Sequence, residues 1–339
     1  MKLIKSALIA LLLCAITAGL IVYSDKVKNG ASYGLSLAGG VVIPSLLPVL
    51  IIVSTLQKSK GRVFFEKLLG FVFGLLKFSR GAVTPVIFGL VGGFPAGALL
   101  TEMQLKNGCI SEHEARRIMR FNMCGGVAFI ISAVGGGYYK STKAGLIIYA
   151  STVLSSVIIA IVSAFFTDKS KSENTHTNGD SLSGALCSAV EDSTKSVLVM
   201  SAYIILFCAI KNTVSISDAL FPLIEITSGI FSQDKLLPEW AAFFIGFGGL
   251  CIHFQLLPYL KNMGVKYTEF FIYRVLGGTL SYFICRILLN FFPVSISVFE
   301  SGAERLSFEF TQINTAFGII VMLGAAVIIL DIENRKIKL

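Results

Sequence analysis

The stretch Gly89-Leu90-Val91-Gly92-Gly93-Phe94-Pro95-Ala96-Gly97-Ala98 puts four glycines and a proline into ten residues, inside an apolar run over 83–104. A helix drawn through it would lose a backbone hydrogen bond at Pro95, and the glycines would loosen what remained. Irregular backbone at membrane depth persists only where protein or a watery cavity satisfies its polar groups. The stretch therefore predicts a broken helix or a hairpin tip that lines a site. Amides freed around Gly92, Gly93 and Gly97, with a helix N-terminus near Pro95, would favour an anionic group. Close helix packing through small residues is the alternative.

The surroundings are those of a membrane protein. Of 339 residues, 54% are apolar and 14% are charged, against about 25% charged in soluble domains. The charges gather in short clusters, such as Lys58-Ser59-Lys60-Gly61-Arg62 and Arg335-Lys336-Ile337-Lys338. Between them lie apolar stretches at 4–23, 35–56, 63–78, 83–104, 121–138, 144–167, 194–213, 217–231, 239–260, 268–292 and 311–331. Crossing a bilayer takes roughly 20 apolar residues. The pattern predicts an all-α, polytopic integral membrane protein with about 8–11 apolar segments. The stretch 63–78 is broken by Glu66, Lys67 and Lys77, so it and 217–231 either cross or re-enter.

The net charge of +9 does not point to nucleic acid, because the basic residues flank apolar spans, where they set topology and meet lipid head groups. Lys and Arg counts place both termini, the Lys58–Arg62 cluster and the polar segment 168–185 in the cytoplasm of a bacterial plasma membrane. The apolar run after Lys2 and Lys5 reads as an uncleaved first span, since it is long enough to cross and lacks a small-x-small cleavage site. Of seven cysteines, Cys14, Cys124, Cys208, Cys251 and Cys285 lie in apolar segments and none forms a C-x-x-C pair, so they read as small packing residues. No zinc signature, nucleotide-binding loop or nucleophile elbow is present. No metal, cofactor or enzyme chemistry is expected.

The two sides of the segment 168–185 resemble each other. Val91-Gly92-Gly93-Phe94 opens a run ending at Gly108, and Phe247-Gly248-Gly249-Leu250 opens a gapless counterpart ending at Gly264. Arg120 precedes Gly125-Gly126 as Arg274 precedes Gly277-Gly278, and Pro48–Lys58 matches Ser201–Lys211. Three landmarks in one order predict two related units, 35–167 and 186–339, behind an N-terminal helix and loop over 1–34. With five apolar elements each, the units would face opposite ways, as in secondary transporters whose sites lie at the repeat interface.

Side chains that would serve such a site follow from this layout. Asn122, ahead of Gly125, offers a donor and an acceptor where the backbone can unwind. Arg274 is a charge within an apolar stretch and needs a partner or an aqueous cavity; it would hold a carboxylate bidentately or snorkel to a membrane face. His253 and Gln255 follow the second break at Gly248 and Gly249, and Thr101 and Glu102 follow the first, where Glu102 would couple a proton. Ser45, between Pro44 and Pro48, would face the site or satisfy carbonyls freed by the proline kink.

Pro44-Ser45-Leu46-Leu47-Pro48, Gly93-Phe94-Pro95-Ala96-Gly97-Ala98 and Ile110-Ser111-Glu112 with the basic helix to Asn122 resemble sporulation integral membrane proteins of the YlbJ/SpoVV type. These are nucleoside-recognition "gate" domain membrane proteins, distantly similar to concentrative nucleoside transporters. The resemblance covers roughly 35–335, is densest in 40–140, and implies a spore-forming source. It further implies alternating-access transport of a small anionic or nucleoside-like solute, dipicolinate for the sporulation type, with H+ or Na+ as a coupling ion and a homo-oligomer as one form. A non-transporting scaffold of a sporulation complex is the second class. A membrane-embedded enzyme is the third, and Glu102 with His253 would be its acid–base pair.

Overall fold

The computed structural model describes residues 2–167, 181–214 and 216–294. Among them the chain is helical with no strand, as the apolar runs predict. The segment 168–180 and the last apolar stretch, 311–331, lie outside the described residues.

After α1 (Lys2–Val22), the chain runs into α2 (Ser24–Leu37), a π-helical turn (Ala38–Val42) and α3 (Ile43–Lys58). The region expected to be a loop before residue 35 is helical. Pro44 and Pro48 lack the amides that would close two turns, and the widened turn sits directly before them. The Ser45 hydroxyl donates to the Val41 carbonyl of its own helix at 2.6 Å, one residue beyond the Gly40 carbonyl that Pro44 leaves without its amide.

Helix α4 (Arg62–Leu75) meets the 3-10 turn Arg80–Ala82 and α5 (Val83–Gly92) at a bend of 109°. The stretch 63–78 is therefore one arm of a bent pair. Arg117, on α7 (Glu112–Met119), holds the elbow: it donates to Leu76 O at 2.6 Å and Ser163 Oγ at 2.9 Å, and lies 3.8 Å over the Phe78 ring. Burial pulls its guanidinium down to about 10, which leaves it charged at neutral pH.

The glycine-rich stretch breaks where the sequence predicts. Gly93 adopts φ +95° and starts α6 (Phe94–Lys106). The chain turns back there, because Gln104 Nε2 reaches Gly81 O at 3.1 Å and Thr84 Oγ1 at 3.2 Å. A Cβ on Gly89 would come within 2.7 Å of Gly97 Cα. So α5 and α6 form a hairpin whose tip is Gly93.

Residues 120–126 leave the helix after α7, and the chain resumes in a π-helix (Phe129–Tyr138) and α8 (Thr142–Phe165). Helix α8 is inside-out: Ser151, Thr152, Ser155 and Ser163 are buried while Leu154, Ile158, Ile161 and Phe165 are exposed. Helix α4 likewise exposes Phe64, Leu68, Phe71 and Leu75 at helical spacing. Rows of this kind suit lipid and would be costly in water.

The second part holds α9 (Leu182–Val214), a 3-10 turn (Phe221–Leu223), α10 (Ile226–Phe231), α11 (Pro238–Phe247), α12 (Gly249–Asn262) and α13 (Tyr267–Phe291). The stretch 217–231 is thus two short turns and no full span. Among the described residues five helices are long and apolar enough to cross a membrane, or six with the bent pair counted as one, so this is a multi-pass membrane protein. Gly248 and Gly249, at φ +95° and +59°, interrupt one of these spans, Pro238–Asn262. The second break thus bends a span, whereas the first reverses the chain. Helices α3 and α9 run antiparallel, with Lys58 on Ser188 and Asp192. Helices α6 and α12 run parallel, with Asn262 donating to Glu102 at 2.6 Å.

A Cβ on Gly97 would sit 2.4 Å from the Asn122 carbonyl oxygen. Gly97→Ala is expected to cost about 1–3 kcal/mol through overpacking, and Gly97→Val more. Both should appear as a lower melting temperature of the detergent-purified protein.

Candidate functional site

The first turns of α6 and α12 meet at one cavity. It is open on one side, and its atom-free space of about 440 Å³ includes that opening; the part that admits the centre of a water-sized sphere is about 30 Å³. Gly93, Phe94 and Pro95 come from the hairpin tip, and Cys251, Ile252 and Gln255 from α12. Gly126 and Phe129 close it from the unwound segment, Met200 and Ile204 from α9, and Glu225 and Thr227 from the start of α10. A helix N-terminus carries about half a positive charge, so the starts of α6 and α12 both bring a positive end to this space, the Cys251 amide of α12 being already bonded to Ile224 O at 2.7 Å. Most of the wall is apolar, and Phe94 and Phe129 supply rings.

Glu225 is the ionisable group that sequence reasoning missed. It is 3% exposed, accepts from Thr227 N at 2.9 Å and Ser228 N at 2.6 Å, and also takes the Ser228 hydroxyl. Those bonds cap α10 and fix the carboxylate at the cavity wall. A signal was present, because Glu225 is the one charged residue between Ala219 and Phe231.

Of the residues predicted for the site, Gly93, Pro95 and Gln255 line the cavity. The rest hold its walls or lie elsewhere. Asn122 is fully buried under the hairpin and donates to Pro85 O at 2.8 Å. Gly92 meets Ala96, and Gly125 packs on Ile245 and Ile130. Ser45 faces carbonyls of its own helix, and Thr101 donates to Gly97 O at 2.6 Å. Gly248 and Gly249 supply the bend that starts α12.

Arg274 is 3% exposed and is not free to take a carboxylate. Its guanidinium donates to Met123 O, to Arg120 O at 2.8 Å and to Gly246 O. These carbonyls belong to the unwound segment after α7 and the end of α11, where helix ends carry negative partial charge. Arg120 is spent on Glu269 at 2.6 Å. The acid–base pair that a membrane-embedded enzyme would need, Glu102 with His253, is not formed. Glu102 binds Asn262 and Lys106, and His253 binds Phe247 O and Tyr267. Nine residues of helix separate His253 from Asn262, about 13 Å along the axis. Among the described residues, no group of three or more His, Cys, Asp or Glu could hold a metal ion.

Comparison with known proteins agrees with the resemblance read from the sequence. The chain is similar, at 25% identity over 329 residues, to the sporulation integral membrane protein YlbJ of Bacillus subtilis (strain 168), covering 81% of this chain and 80% of that protein. The relationship to YlbJ-type sporulation membrane proteins is distant. No family model and no solved structure matches the chain.

Lysine cannot reproduce the fork that Arg274 places on three carbonyls. Arg274→Lys is expected to cost about 2–4 kcal/mol through carbonyls left unpaired in the interior. Thermal melts should show the loss in the absence of any solute.

Proposed function

We propose that the protein is a transporter that carries a small polar solute across a bacterial plasma membrane by alternating access. The observation that supports this best is the cavity at the meeting of two broken helices, with both positive helix ends on it. Discontinuous helices that present their ends to a buried space are how secondary transporters hold polar solutes without water. The solute is a small carboxylate-bearing or nucleoside-like ring. Phe94, Phe129, Met200 and Ile252 would sandwich its faces, while Gln255, Thr227 and freed amides near Gly93 would take its polar edge. The relative's role in sporulation makes dipicolinate the first solute to test.

The parts divide the work. Arg274 holds the unwound segment open, Asn122 seats the hairpin on it, and Gly93 lets the tip approach. A Cβ on Gly93 would come within 2.7 Å of Gly126 N, so the tip and the unwound segment touch backbone to backbone. Movement of the hairpin against that seat would expose the cavity to one side or the other. The basic flanks support a cytoplasmic side for both termini and the Lys58–Arg62 cluster. A coupling ion, H+ or Na+, would supply the driving force.

Ligand-induced stabilisation of the purified protein tests this reading, with dipicolinate, uridine and simple dicarboxylates side by side. A ligand that binds only the folded state raises the melting temperature with concentration. Met200→Phe, which fills the cavity from α9, should leave melting nearly unchanged and remove the shift. No shift with any solute in a cooperatively melting protein would favour a non-transporting scaffold. Lys60→Cys should react with membrane-impermeant maleimide from the cytoplasmic side alone; labelling from outside would reverse the orientation.

A further inference from the structure

The cavity has a charge pattern that a simple anion site would not have. Two helix N-termini bring roughly half a positive charge each, and one buried carboxylate, Glu225, stands against them. Among the described residues that line it there is no lysine or arginine. The arginine that sequence reasoning gave to the site, Arg274, is engaged with carbonyls. An ionised Glu225, though held by the amides of α10, therefore opposes the attraction the other helix ends would exert on an anion.

The elements packed around α10 do not relieve this. Tyr33 on α2, Cys208 on α9 and Cys251 on α12 are the titratable groups nearby on the neighbouring helices. Lys211, on α9, is paired with Asp218 at 2.6 Å and stands 4.5 Å over the Phe221 ring. Tyr138 of the π-helix packs on Phe231, at the far end of α10. None of these brings Glu225 an unspent cation.

We propose that Glu225 links a proton to anion binding: an aromatic carboxylate enters the cavity together with a proton, which the Glu225 carboxylate takes from water. The receiving atom is Oε1, which takes the Thr227 amide, with the Thr227 side chain also bonded to the carboxylate, while Oε2 carries both Ser228 bonds. Protonation on Oε1 leaves the cap of α10 intact and removes the negative charge facing the solute. The two helix ends then act on the anion unopposed. An uncharged ring solute needs no such step. The proposal rests on the cavity being the solute site and adds the proton linkage of an anionic solute.

The test is calorimetric, on the purified full-length chain at neutral pH, in two buffers of different ionisation enthalpy. Dipicolinate is the anionic probe and uridine the uncharged one. About one proton should be taken up per dipicolinate and none per uridine, and the dipicolinate Kd should rise about tenfold per pH unit above neutrality. Glu225→Gln keeps a carbonyl for the first turn of α10, so it should abolish the uptake and flatten the pH dependence. Glu225→Asp, which still caps and still titrates, should retain the uptake and controls for folding. Dipicolinate binding without proton uptake, or uptake that persists in Glu225→Gln, overturns the proposal. If uridine binds and dipicolinate does not, the proposal falls and the cavity reading stands. If neither binds, both fall.

Discussion

A chain that leaves its helix inside a bilayer must find donors for the carbonyls it frees, and here an arginine provides them. Arg274 reaches Arg120 O, Met123 O and Gly246 O from one side chain. Without those bonds, residues 120–126 would face a low-dielectric interior with unpaired acceptors. The rest of the centre depends on that segment staying open. Asn122 projects from it under the hairpin, Gly126 receives the hairpin tip, and Phe129 follows as a cavity wall. A charge that looks like a ligand-binding group in sequence is the brace of the architecture.

The result is a sorting of helix ends. The positive ends of α6 and α12 face the cavity, and the negative ends of α7 and α11 face Arg274. Buried ions in a membrane are tolerated where the surrounding dipoles are oriented for them. Arg274 and Glu225 satisfy this condition at separate places, one on carbonyls and the other on the amides of α10. Neither charge uses the other as a partner.

How much of this could be read in the residues depends on how local the cause is. The span pattern and the breaks at Gly93 and Gly248 were legible, because glycine and proline act on their own turn of backbone. Ser45 was legible for the same reason, with its acceptor four residues back. What each break does to the chain was not legible. Gly92-Gly93 and Gly248-Gly249 look alike, yet one reverses the chain and the other bends it, since tertiary contacts such as Gln104 with Gly81 decide. The partners of Arg274 lie 28 to 154 residues away, beyond any spacing rule. Glu225 was visible as a lone charge in an apolar stretch, but its place on the cavity comes from the docking of α10 against α2 and α9.

The long helices that frame the cavity have one further property. The rod Ser24–Lys58 contains 35 residues and its antiparallel neighbour Leu182–Val214 contains 33, about 50 Å each at 1.5 Å per residue. The hydrocarbon layer of a bilayer is about 30 Å thick. Such a pair must lean, or push its polar end beyond the lipid, and Ser24-Asp25-Lys26-Val27-Lys28-Asn29 is an end suited to water. Hydrophobic mismatch therefore acts on this pair. Val42 and Leu46 on one rod and Met200 and Ile204 on the other line the cavity, so a change in bilayer thickness that alters their lean also alters the width of the cavity.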